Sequence, residues 1–193
     1  MSWCQIAFYA QRDEKHFMPC HPRVHAPGLL YHVMGGGNNG QKVFSNDEDY
    51  EAFRSTSCCA GALPFYLYAY VLMPNHFHLL LAVRASPTAR IMQSLLTGYV
   101  RRFNRIHRHK GHLSQGRYKA IVWDRDSYLL ELVRYIHLNP QRARMVRRPG
   151  QWRWTGHGEY LQTNHRGLID PGPVMDELKQ EGKGSSLELG SCL

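Results

Sequence analysis

Residues 65–83 of the chain, FYLYAYVLMPNHFHLLLAV, decide the fold. Two apolar runs, Phe65–Met73 and His76–Val83, lie on either side of the dipeptide Pro74-Asn75. Runs of this length and composition are typical of β-strands, and proline followed by asparagine is typical of a turn. The stretch therefore predicts a β-hairpin with a tight Pro-Asn turn.

The second strand of this hairpin begins with two histidines separated by one residue. Side chains alternate between the faces of a strand, so His76 and His78 point to one side and Phe77 to the other. Two imidazoles at this spacing can hold one metal ion. Two half-buried histidines bonded to their neighbours would give the same pattern, so the pair alone leaves both interpretations open.

The charge of the chain is strongly positive and unevenly distributed. Its 193 residues carry a formal net charge of +9. The segment from Ala52 to Trp123 contains no Asp or Glu but ten Arg or Lys. Such a balance favours a polyanionic partner, either nucleic acid or an anionic membrane surface. The membrane is disfavoured because the chain lacks a basic amphipathic terminal helix with an exposed apolar face.

Composition also bears on size and compartment. The length suits one domain, and an apolar share of 43% is enough for a core. The five cysteines are scattered and form no CxxC pair, which indicates reduced thiols. No signal peptide is evident, and no apolar run approaches membrane-spanning length. We therefore expect a cytoplasmic, nucleoid-associated protein that does not bind membranes.

Further strands and helices surround the hairpin. The sequence predicts, in order, a strand over 29–34, a helix over 46–60, the two hairpin strands, a helix over 89–109 and a strand over 119–123. A last helix follows, capped by Asp126 or Ser127 and stopped by Pro140. This order predicts the α+β class: a ferredoxin-like (RRM-like) sandwich, with an antiparallel sheet, helices on one face and an appended C-terminal helix. The predicted divisions are an N-terminal arm (1–26), the domain (27–161) and a partly disordered C-terminal extension (162–193).

The predicted helix over 89–109 is amphipathic, with arginines opposite its apolar stripe. Basic residues on this helix and just after it are interleaved with His107, His109 and Tyr118, which suits contacts to phosphates and unpaired bases. The predicted DNA-binding set comprises Arg101, Arg102, Arg105, Arg108, Lys110, Arg117 and Lys119. A single solvated helix face is the alternative, and the lack of a compensating acid weakens it.

The last predicted helix places a tyrosine and an amide one turn apart. Tyr135 and Asn139 lie on a stripe about a quarter turn from the apolar stripe. This suits a nucleophile beside a metal-binding amide, and equally an amphipathic aromatic at a domain edge. Tyr99 and Tyr128 are rival nucleophiles, of which Tyr99 is predicted to lie in the core. His137 points away from the Tyr135–Asn139 line and is predicted to be structural.

Five short strings resemble those of the single-tyrosine HUH transposases, most closely the REP-associated tyrosine transposases. They occur in order and with compatible spacing: Tyr31-His32-Val33, Gly37-Asn38-Asn39, the run from Tyr70 to His78, the run from Gly116 to Lys119 and the run from Arg134 to Pro140. The resemblance implies a metal-dependent DNA strand transferase that acts through a 5′-phosphotyrosine. Its substrate would be single-stranded or hairpin DNA, such as REP-like palindromes, and the protein would be a monomer or homodimer.

The resemblance also implies residue roles. His76 and His78 match the two metal-binding histidines, Tyr135 the nucleophile, and Asn139 a third, amide-type metal ligand. The implied metal is Mg²⁺ or Mn²⁺, although imidazole ligands also suit Zn²⁺. A phenol with a pKa of about 10 is a poor nucleophile near neutrality and needs cationic surroundings. Two alternatives stay open: a DNA-binding protein of the same fold without cleavage activity, and a Zn²⁺-dependent hydrolase using the same histidines.

Overall fold

The computed structural model describes residues 25–59, 65–109, 111–113, 116–161 and 167–180. Its elements follow the predicted βαββαβα order up to residue 137. The strands are β1 (Leu30–Gly36), β2 (Phe65–Met73), β3 (His76–Val83) and β4 (Lys119–Trp123), and the helices are α1 (Asp47–Cys59), α2 (Thr88–Ile106), α3 (Arg125–His137), α4 (Asn139–Arg142), α5 (His157–Tyr160) and α6 (Gly172–Gln180). Most of the predicted N-terminal arm and the predicted tail from residue 181 lie outside the described residues.

The sheet confirms the predicted ferredoxin-like architecture. Its strands lie in the order β2-β3-β1-β4, and every neighbouring pair is antiparallel. The β2–β3 hairpin turns at Pro74-Asn75. The central strand β3 is almost entirely buried, and its neighbour β1 is buried over its first four residues and partly buried over its last three, which agrees with their mostly apolar sequences.

Helices cover both faces of the sheet. On the face to which Phe77 points, α1 and α2 pack together, and the rings of Phe53 and Phe77 lie 5.1 Å apart between centroids. Phe77 also covers Gly35, where a Cβ atom would lie 2.5 Å from the ring, so a larger residue would require the Phe77 ring to move. On the face that carries the two histidines, α3 packs against β2 and β3.

Pro140 does not end the tyrosine-bearing helix as predicted. Helix α3 ends at His137, and after a break at Leu138 the short helix α4 begins, with Pro140 in its first turn. Proline is tolerated there because the first turn has no intrahelical partner for its missing N–H. Helix α2 likewise ends at Ile106, short of the predicted His109.

The chain beyond the predicted domain end at Leu161 contributes to the core. Helix α6 packs against α3, and its Val174 and Leu178 are fully buried. Before it, Trp154–Gly156 pair with the outer edge of β2: Leu72 N–H donates to the Trp154 carbonyl at 2.9 Å, and Gly156 N–H donates to the Tyr70 carbonyl at 3.0 Å. No helix among the described residues is long and apolar enough to cross a membrane.

Candidate active site

The two strand histidines lie side by side at the start of β3, on the face covered by α3. Their ring centroids are 5.2 Å apart and the ring planes are nearly perpendicular. His78 is only 6% exposed, whereas His76 is partly exposed. The Nδ1 atom of His76 lies 2.7 Å from the Asn75 amide oxygen. The predicted common orientation of the pair is therefore present.

A third histidine, which the sequence did not single out as a site residue, adjoins the pair. His32 lies on β1, two residues before Met34, the residue opposite His78 in the register. Its Nε2 atom lies 2.9 Å from Nδ1 of His78, and it is 3% exposed. In the sequence it is a lone histidine within an apolar strand, which indicates core, and only the β1–β3 register reveals its neighbour.

These hydrogen bonds define which ring nitrogens could bind a cation. An amide oxygen only accepts, so His76 donates from Nδ1 to Asn75 and keeps its Nε2 lone pair. Burial lowers the pKa of His32 to about 4 and holds that of His78 well below its ordinary value, so both rings are neutral near pH 7. In the tautomer that suits a metal, His78 donates from Nδ1 to His32 and likewise presents Nε2.

Helix α3 brings Tyr135 against this histidine cluster. The centroid of the phenol ring lies 6.0 Å from that of His78 and 5.8 Å from that of His32, with the rings edge to face. Asn139 follows one turn later, where its Nδ2 donates to the Tyr135 carbonyl at 2.8 Å. That bond holds the amide in place and leaves its oxygen as an acceptor.

The reactivity of Tyr135 is set by opposing effects. Burial raises the pKa of its phenol above the ordinary value, while the Arg142 guanidinium and the Asn139 amide act to lower it. The Arg142 guanidinium carbon lies 5.3 Å from the ring centroid. The sequence interpretation missed Arg142, although the segment from Leu132 to Gly158 contains six arginines and no Asp or Glu.

The rival nucleophiles do not reach the histidines in this way. Tyr99 is 3% exposed in the core, and its hydroxyl donates to the Val43 carbonyl. Tyr128 lies two helical turns before Tyr135 and packs against Trp123 at 5.2 Å.

His137, predicted to be structural, is fully buried on another side of α3. Its ring packs against His157 and Tyr160, with centroids 5.5 and 5.7 Å away. It has no ring contact with the histidines of β1 and β3 among the described contacts.

The predicted DNA-binding residues do not form one face. The four arginines from 101 to 108 are exposed at the C-terminal end of α2, in the helix layer on the other side of the sheet from Tyr135. Lys119 instead lies on β4 opposite Met34, which in turn lies opposite His78. It therefore shares the active-site face, about 10 Å across the sheet. Arg117 is exposed just before β4, and Lys110 lies outside the described residues.

The available donors fit a divalent cation. Among the described residues, no three His, Cys, Asp or Glu side chains form a possible metal site. The free donor atoms at this place are the Nε2 atoms of His76 and His78, and the resemblance adds the amide oxygen of Asn139 as the third. Two imidazoles and one neutral oxygen leave coordination positions for water or phosphate oxygens.

Comparisons with known proteins identify the family and the fold. The model of the family described as "Transposase IS200 like" matches residues 25–139. A solved structure of a REP-associated tyrosine transposase bound to a REP hairpin has the same fold, with a TM-score of 0.65 and 15% identity over 79% of this chain and 91% of that chain. A proposed transposase from Deinococcus radiodurans R1 aligns over 61% of this chain and 94% of that chain at 19% identity and a TM-score of 0.43. No curated protein matches.

Proposed function

Since the chain belongs to the IS200-like transposase family, we propose that it nicks and rejoins single-stranded or hairpin DNA through a covalent bond to Tyr135. The observation that carries the proposal is the contact of the Tyr135 ring with the histidine cluster of β1 and β3. The structural relative bound to a REP hairpin supports hairpin DNA as the substrate class.

The proposed reaction is an exchange of phosphate esters. The Tyr135 oxygen attacks the phosphorus and loses its proton to water. The bond to the 3′-oxygen of the preceding nucleotide breaks, and that oxygen leaves as a protonated hydroxyl. A 5′-phosphotyrosine results, which conserves the ester so that a 3′-hydroxyl can later displace Tyr135 and reseal the strand without ATP.

The residues around Tyr135 favour this exchange in separate ways. Arg142 stabilises the phenolate and lies where it can also contact phosphate. His76, His78 and Asn139 would hold Mg²⁺ or Mn²⁺, which as a Lewis acid withdraws charge from the phosphoryl oxygens. His32 holds the ring of His78 in one orientation through the Nε2–Nδ1 contact. Asn139 is positioned by its bond to the Tyr135 carbonyl.

A covalent-adduct assay tests the proposal. The protein is incubated with labelled hairpin and single-stranded oligonucleotides and Mn²⁺, denatured, and examined for a labelled protein band. Tyr135→Phe removes only the attacking oxygen, so it should keep DNA binding and lose both cleavage and the adduct. Tyr128→Phe, on the same helix but away from the histidines, is the matched control and should form the adduct normally.

The alternatives give different results in the same assay. Cleavage without any adduct, even from the wild type, would indicate a hydrolase that uses the same histidines. Binding without cleavage would indicate a DNA-binding protein that has kept only the fold. An adduct that survives Tyr135→Phe and disappears in Tyr128→Phe would transfer the reaction to the neighbouring tyrosine.

A further inference from the structure

A groove lined by tyrosines and arginines lies at the far end of the active-site face. Its volume is about 430 Å³, and Tyr66, Tyr68, Arg84 and Arg125 line it. The two tyrosine rings are almost parallel, with centroids 6.4 Å apart. Tyr66 is 38% exposed, more than the other Phe, Tyr and Trp side chains of the described residues, whereas Tyr68 is buried and forms the floor.

Each arginine of the groove lies over an aromatic ring. The Arg84 guanidinium carbon is 5.2 Å from the Tyr66 ring centroid, and that of Arg125 is 5.6 Å from the Tyr68 centroid. Both arginines are exposed, and neither has a carboxylate within 4 Å among the described residues. The nearby Asp170 carboxylate instead accepts the Leu67 N–H at 2.9 Å. The groove thus combines a partly exposed tyrosine with two exposed guanidiniums that form no ion pair among the described residues, while Asp124 and Asp126 flank Arg125 in the sequence.

The groove belongs to the same face of the sheet as Tyr135. Ala82, which also lines it, lies four residues after His78 on β3 and so points to the same side. Arg125 begins α3, ten residues before Tyr135. Four residues along β3, from His78 to Ala82, and ten residues along α3, from Tyr135 to Arg125, both place the groove about 14–15 Å from the active site. A stacked single strand advances about 3.4 Å per nucleotide, so about four nucleotides would span this distance.

We propose that this groove binds an unpaired nucleotide of the substrate strand, about four nucleotides from the phosphate that Tyr135 attacks. The base takes the place of the Arg84 guanidinium on the Tyr66 ring, and Arg84 and Arg125 bind the adjoining phosphates. An exposed aromatic beside guanidiniums is the combination that binds single strands without requiring a particular base. The inference rests on the proposed function, since it takes the position of the reacting phosphate from Tyr135.

Binding measurements without divalent metal test the groove separately from catalysis. Fluorescence anisotropy is measured with a blunt hairpin, the same hairpin carrying an eight-nucleotide single-stranded extension, and an unstructured strand. The extension should strengthen wild-type binding. Tyr66→Ala should remove about 5- to 100-fold of that gain and leave blunt-hairpin affinity unchanged, whereas Tyr66→Phe, which keeps the ring, should retain the gain.

The arginines have their own expected effect. Changing both Arg84 and Arg125 to Ala should lower the salt dependence of unstructured-strand binding by about 1.4 in the log–log slope. Arg153→Ala is the matched control, because Arg153 also lies over an aromatic ring, Trp154, but pairs with carboxylates of α1. It should leave the gain from the extension intact.

The outcomes of these measurements test the DNA-binding role of the groove separately from the reaction at Tyr135. If Tyr66→Ala binds the extended hairpin and the unstructured strand as tightly as the wild type does, the groove assignment is overturned. This holds even if the adduct at Tyr135 forms normally. A wild type that binds no unpaired DNA would overturn it as well. Tyr66-dependent binding without any adduct would retain the groove as a single-strand site and reject only the proposed reaction.

Discussion

Replacing His32 with Phe should weaken metal binding, although His32 is not a ligand in the proposed site. The change keeps an aromatic ring against Tyr135 but removes the Nε2 atom 2.9 Å from His78 Nδ1. An unsatisfied polar atom at a buried position costs about 1–3 kcal/mol. Losing the partner that orients a metal-binding histidine typically costs about 10- to 100-fold in metal affinity, or about 1.4–2.8 kcal/mol.

Calorimetric titration with Mn²⁺ measures the loss of metal affinity, and thermal unfolding measures the loss of stability. His137→Phe is the matched control, because His137 is an equally buried imidazole that packs against His157 rather than the site. Its Mn²⁺ affinity should equal that of the wild type. If His32→Phe binds Mn²⁺ within twofold of the wild type while folded, His32 does not orient His78 and the reasoning fails.

Three further outcomes follow from the site and its surroundings. Arg142→Gln should slow adduct formation and shift the pH–rate profile upward, because Arg142 lowers the pKa of Tyr135; an unchanged profile would exclude this role. Arg101→Ala and Arg105→Ala should each reduce the salt slope of DNA binding by about 0.7–0.9 and leave cleavage of bound DNA unchanged, and salt-independent wild-type binding would contradict a phosphate contact. Burial lowers the pKa of His137 to about 3, so the unfolded state binds a proton that the folded state does not as pH falls below 6.5. His137 alone should lower stability by up to about 1.4 kcal/mol per pH unit between pH 6.5 and 3, so urea unfolding of His137→Phe should show a decrease that is shallower than the wild type's by that amount.

Local sequence patterns predicted much of the fold and half of the site. Apolar runs and helical spacing predicted the order of strands and helices, and strand alternation placed His76 and His78 on one side. One helical turn brought Tyr135 and Asn139 together. Each of these inferences depends on neighbours within a few residues, for which the geometry of a strand or helix is fixed.

The remaining site residues depend on contacts between distant segments. His32 meets His78 only through the β1–β3 register, 46 residues away. Arg142 reaches Tyr135 because the chain starts a second helix at Pro140, where the sequence predicted a stop. The arginines of α2 and Lys119 are all basic, but they lie on opposite faces of the sheet. The sequence predicts only a partly disordered extension after Leu161, because the burial of helix α6 depends on its contact with α3, which no local pattern reveals.

The strand-edge cover formed by Trp154–Gly156 sets a lower limit on the length of a usable fragment. A fragment ending at residue 139, where the family match ends, would retain the proposed nucleophile and metal ligands. It would nevertheless leave the Leu72 N–H and the Tyr70 carbonyl unpaired along the apolar strand β2. Exposed apolar edges recruit strands from other molecules. Such a fragment should aggregate during expression. It would also lack Arg142, so its inactivity would combine the exposed strand edge with the loss of that guanidinium and would say nothing against Tyr135.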